Sequence, residues 1–155
     1  MISSFDDVTR DVDKALASSP LLARLGYSSR KAVLREAKRY SPDLELGRGC
    51  RFTIETAPER ALSIDVQSHG QDYSICVTFI NNQADDEFLL DEWMREKNIQ
   101  VEPYPWLLSS YVGSTRDRIT HLVTFLEGQL SSPELLDILA GRTWKHIPYD
   151  WGAMK

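Results

Sequence analysis

The side chains able to do acid–base, nucleophilic or metal chemistry near neutral pH are few: three histidines, His69, His121 and His146, and two cysteines, Cys50 and Cys76. None of the histidines has a second ligand at metal-binding spacing. His69 stands beside Gly70 in a turn signal and His121 flanks an apolar helical stripe, so their ordinary roles are a surface turn and a helix flank. His69, Cys76 and Asp65 fall on or near one hairpin and could be drawn into a nucleophile, a base and an orienting acid. Cys76 belongs to an interior strand, however, where a thiol is desolvated and inert rather than activated. There is no phosphate loop, HExxH, GxSxG or glycine-rich dinucleotide turn. The expectation is a binding protein rather than an enzyme, with no catalytic constellation, no metal and no cofactor.

Binding chemistry is better represented. Residues 85–102 hold Asp85, Asp86, Glu87, Asp91, Glu92, Glu96 and Glu102 against Arg95 and Lys97, so this segment alone sums to the chain's net charge of -5. Acids in the first turn of a helix over 85–97 and cations in its last would suit the helix dipole. Glu87 with Asp91, and Glu92 with Glu96, are instead like-charge pairs at i, i+4, costing a few tenths of a kcal/mol each. Dipole capping does not account for them; a solvated face and a docking surface for a cationic partner are the two readings, the second with Asp91, Glu92 and Glu96 at its centre. The second binding feature is the tail 142–155, in which Trp144, Tyr149 and Trp151 surround Pro148 and cannot form a regular helix. These aromatics dock either on the protein's own core or on a partner, where Trp and Tyr are enriched. The seven acids and three aromatics together form the expected partner-binding set.

These residues must be positioned by elements readable from periodicity. Ser3 or Ser4 opens a first helix with the stripe Phe5, Val8, Val12 and Leu16, and Ser19-Pro20 to Leu25, stopped by Gly26, gives a short second one. A third helix is expected from Ser28 or Ser29 to Tyr40, completing a helical part over 1–40. From Cys50 the period falls to 2: Phe52 and Ile54, then Leu62, Ile64 and Val66, then Tyr73, Ile75, Val77 and Phe79 alternate with polar residues. That is a three-stranded antiparallel meander over 50–80, one face apolar and the other small, polar and open. Ile99 with Val101, and Trp106 to Val112, are candidate fourth and fifth strands. Helices opened by Ser114 or Thr115 and by Ser132-Pro133 complete 114–141. The fold expected is α+β, a central antiparallel sheet of three to five strands with N-terminal and C-terminal helices packed on one face.

Length and composition set the outer bounds. At 155 residues, 42% hydrophobic and 26% charged, the chain fits one globular domain over 1–155. The longest run without a charge, Pro103 to Thr115, is shorter than the ~18 apolar residues of a membrane span. Met1 to Asp13 carries four aspartates where a signal peptide would be basic and apolar, which points to the cytoplasm. Cys50 and Cys76 fall on opposite sheet faces and are expected to stay unbridged. Six cations between Arg24 and Arg39, opposed by Glu36 alone, read as a solvated face, and a chain of pI ≈ 5.2 repels polyanions, so nucleic acid is not the expected partner.

In size and character the chain resembles bacterial immunity proteins, which neutralise one toxin, often a basic nuclease, by covering its active site with acidic residues; no motif here carries that likeness. Its order of elements also resembles that of small acidic secretion chaperones, which hold an effector segment extended, although the helices between Pro20 and Tyr40 do not suit that pattern. The functional expectation is an immunity-protein-like, protein-binding inhibitor of one basic toxin. The alternatives are the chaperone, or a small enzyme with His69 or His121 beside a carboxylate of shifted pKa.

Overall fold

Capping residues set the N-terminal helices. Ser4 Oγ accepts the Asp7 N–H at 3.1 Å and starts α1 (Phe5–Ala17), whose Val8, Val12 and Leu16 are buried. Each such side chain contributes roughly 1.5–3 kcal/mol when fully buried. Ser19 caps α2 (Pro20–Leu25) with proline in the first turn, and Gly26 ends it at φ 107. A side chain there would be strained by that backbone and would meet Glu55 O at 3.5 Å. These features come from a computed structural model that describes residues 4–28, 36–38, 48–69, 72–99, 108 and 112–148.

Among the described residues the sheet has five antiparallel strands in chain order, β1 (Glu36–Lys38), β2 (Arg48–Ala57), β3 (Arg60–His69), β4 (Asp72–Asn81) and β5 (Asp86–Leu89). Cys50, Val66 and Ile75 form one row across its apolar face; Phe52, Ile64 and Val77 the next; Ile54, Leu62, Phe79 and Phe88 a third. All of them are buried and share a core with the helix stripes, including Ile119, Leu122, Val123 and Leu126 of α4 (Thr115–Leu130) and Leu135, Ile138 and Leu139 of α5 (Pro133–Leu139). The architecture is α+β, with helices at both ends of the meander. Cys50 stands on the apolar face and Cys76 on the other, and neither is in a disulfide.

Four expectations are corrected. Glu36–Lys38 is not helical but pairs with Arg48–Cys50, because β2 starts before the apolar alternation and offers its backbone to a neighbour. The helix expected over 85–97 begins only at Leu90, as α3 (Leu90–Glu96). Before it, Asn81 Oδ1 accepts the N–H groups of Gln83 and Ala84, Asp85 takes φ 51, and Asp86–Leu89 runs back along β4. A side chain that bonds its own backbone favours a turn over a helix, and Phe88 stacks on Phe79 at 4.8 Å only from the strand. Among the described residues the outer strands are β1 and β5; Ile99 is in no strand and donates to Met94 O at 2.8 Å, and Val112 is in none, while Val101 and the rest of Trp106–Val112 save Leu108 lie outside the described residues. Nor is the second sheet face open throughout, since Ser63, Ser74 and Thr78 on it are buried, although Arg51, Glu55 and Glu87 are exposed.

Candidate functional site

The acidic segment divides at Leu89. Asp91 and Glu92, on the first turn of α3, are 3% and 6% exposed, and Arg95 Nη1 donates to Asp91 Oδ2 at 3.1 Å and to Glu92 Oε1 at 2.7 Å. They are not the centre of an exposed surface; the helix rotates them inward because Leu90, Trp93 and Met94 must also be buried. Asp91 follows Leu89, the partner of Thr78, so its carboxylate falls beside Cys76. Burial, then Asp91, then Asp65, push the Cys76 thiol up to about 12. It is inert as a nucleophile. Asp65 is itself held by Arg51, whose Nε donates at 2.7 Å, and the His69 side chain lies outside the described residues.

N-terminal to Leu89 the acids face solvent. Asp85 and Glu87 are exposed, as are Glu55 on β2 and Glu59 in the β2–β3 turn. Glu55 and Glu87 occupy one row of the second sheet face, paired through Ala61 and Ile80. The turns carrying Glu59 and Asp85 are tied together by the Asn82 N–H, which donates to Glu59 O at 2.9 Å. Among the described residues none of these four carboxylates makes an ion pair. The neighbouring cation, Arg60, is turned inward and buried, donating from Nη1 to Ile138 O at 2.7 Å and to Thr143 O at 2.6 Å. One end of the sheet therefore presents four exposed carboxylates without an ion pair among the described residues, with Arg51 and the buried Arg60 the cations nearest to them.

Asp86 sits between these regimes. Its Oδ1 accepts the Glu87 N–H at 2.9 Å, while Oδ2 accepts Trp144 Nε1 at 2.9 Å and lies 2.9 Å from His146 Nδ1. Burial raises its pKa, but the hydrogen bonds from Trp144, His146 and Glu87 outweigh that and hold it below the usual carboxylate value. Trp144 lies against Phe88, ring centres 5.2 Å apart, with the Arg60 guanidinium 5.1 Å from its ring centre. Lys145 pairs with Glu96, which raises the lysine pKa, and Ile147 is buried. Trp144 thus docks on the protein's own core, while Glu102, Tyr149 and Trp151 lie outside the described residues.

In the sequence the acidic segment and the aromatic tail read as separate partner sites. The structure binds one to the other, through Asp86 with Trp144 and His146 and through Glu96 with Lys145. The opposite chemistry of 85–96 and Trp144-Lys145-His146 was the available signal. Arg60 was missed altogether, because nothing in a hairpin's alternation marks an arginine that turns inward at the sheet's end. Among the described residues, His146 stands beside a carboxylate of shifted pKa, Asp86; the side chain of His69 lies outside the described residues. Asp86 orients its imidazole as an acid orients a general base, but among the described residues no hydroxyl or thiol bonds that ring. No group among the described residues could hold a metal ion, and no helix among them is long and apolar enough to cross a membrane. A cavity of about 360 Å³ lies elsewhere, between α1 and α4, lined by Asp11, Lys14, Ala15, Thr120, Val123 and Glu127.

No protein family, curated protein or solved structure matches the chain.

Proposed function

With no relative to lend an activity, we propose that the chain is a protein-binding inhibitor of the immunity-protein kind, acting in the cytoplasm on one basic toxin. The observation that carries this is the set Glu55, Glu59, Asp85 and Glu87 at one end of the sheet, exposed and without ion pairs among the described residues. Charges so placed steer a cationic partner, raising its association rate and fixing its orientation while contributing little to the fold. The centre of the surface is the pair of turns at 58–59 and 82–85 rather than α3. The partner's basic active site would be occluded by the sheet end. The two thiols, unbridged, suit a reducing compartment.

The test is co-expression with the product of the reading frame immediately upstream of this one. Growth should be rescued, and the purified proteins should form a complex whose on-rate falls more than tenfold when Glu59, Asp85 and Glu87 are all reversed to lysine. An unchanged on-rate in the folded triple variant would sink the proposal. The oriented His146 favours a second reading, a small hydrolytic enzyme, which predicts turnover by the isolated chain that His146→Ala abolishes.

A further inference from the structure

Residues 143–148 form a strap held to the molecule by side chains. Among the described residues no backbone–backbone hydrogen bond fixes 144–148, the last in this region being Thr143 N–H to Asp137 O at 3.4 Å. Its root is Gly141, at φ 80, within the exposed stretch Ala140–Thr143. Ile147 anchors it in the core, and what the rest of the strap holds is chemically particular. Its indole is seated against Phe88 with Nε1 on Asp86, the next residue's ammonium is on Glu96, and the imidazole after that is again on Asp86. An aromatic side chain followed by two basic ones is read by an apolar seat and two carboxylates. Asp86 and Glu96 remain reachable from solvent, their side chains 22% and 37% exposed.

We propose that the strap is a displaceable internal occupant of this site, and that the partner presents an extended segment of the same kind, an aromatic residue flanked by lysine, arginine or histidine. This rests on the reading of the chain as a binder of cationic protein. It adds that binding is gated: the exposed acids at the turns attract the partner, and the partner's segment then exchanges with the strap at Asp86, beside those turns. An intramolecular occupant acts at an effective concentration in the millimolar range for a short tether, so only a segment already captured nearby competes well. Coupling of this kind is reciprocal: loosening the strap tightens partner binding, and partner binding frees Trp144.

The probe is a fluorescein-labelled peptide of residues 142–148, RTWKHIP, titrated into three full-length proteins and followed by anisotropy. Trp144→Ala/Lys145→Ala/His146→Ala should bind it at least tenfold more tightly than wild type, and adding Asp86→Asn should abolish the gain. Peptides with the tryptophan, or with both basic residues, replaced by alanine should lose it too. A second preparation guards against misfolding of the triple variant: a protease site between Gly141 and Arg142 in the otherwise unaltered chain, where exposed backbone tolerates insertion. Labelled peptide should enter after cleavage and not before. Equal binding to wild type and the strap variant, no exchange after cleavage, or a concentration-dependent dimer in which two copies trade straps would each overturn the proposal. A failure here leaves the upstream co-expression result standing, and an unchanged on-rate there combined with peptide exchange here would overturn only the toxin reading.

Discussion

Asp85 and Glu87 lie within a few residues of Asp91 and Glu92, share their chemistry, and have the opposite fate. The first two are exposed and make no ion pair among the described residues; the second two are buried under one arginine. What separates them is the change from strand to helix at Leu89. A strand at the sheet's end sends alternate side chains to solvent, whereas the short helix after it is pressed against the core and takes its first-turn acids inward with Leu90 and Met94. A run of carboxylates is thus one feature in composition and two in space, one suited to meeting a partner and one to holding an element in place.

The contrast is broken most severely at the arginine. Arg95→Ala leaves Asp91 and Glu92 without their shared cation and should cost about 3 kcal/mol or more, the scale for removing one member of a buried ion pair. A urea midpoint that scarcely moves would mean that α3 is wetter than described. Cys76 reports on the same carboxylate from the other side. With its thiol pushed up to about 12, native Cys76 should react with iodoacetamide at pH 8 on the order of a hundredfold more slowly than the unfolded chain. Asp91→Asn should speed that reaction, and no change would place Asp91 away from the thiol.

Asp86 tests the boundary between the two regimes. Its pKa is lower in the folded protein than unfolded, so its contribution is fully present above the ordinary carboxylate value of 3.8 and is lost as pH falls through the depressed one. Tryptophan emission from the strap should therefore hold steady from neutrality to about pH 4 and change below it. Asp86→Asn should remove that acid limb and cost roughly 1.5–3 kcal/mol, the scale of a hydrogen bond to a charged group. The smallest effect belongs to the exposed set: Asp85→Lys and Glu87→Lys should each shift stability by no more than about 0.5 kcal/mol in a thermal melt. A large loss from either would erase the distinction on which the proposed interface depends.

The meander was legible because Phe52–Ile54, Leu62–Val66 and Ile75–Phe79 alternate over enough residues that no helical period fits them, and the caps Ser4, Ser19-Pro20 and Ser114 were legible because each does one local job. Glu36–Lys38 and Asp86–Leu89 were not. Strands this short are decided by the neighbour that pairs with them, which sequence spacing does not contain. The site failed in the same way. Exposure of Glu87 and burial of Asp91 follow from where the sheet ends, and the meeting of Asp86 with Trp144 spans most of the C-terminal half of the chain.

A sheet whose spatial order is its chain order has a consequence for biosynthesis. Each of the four strand pairings joins sequence neighbours and can form as soon as the second strand emerges, so the sheet assembles from contacts of low order. The packing of α1 against α4 does not have that freedom. After Ala17 leaves the ribosome, Thr115 follows only on the order of ten seconds later at ordinary elongation rates. For that interval Val8, Val12 and Leu16 lack α4, and α1 presents an uncovered apolar stripe to chaperones.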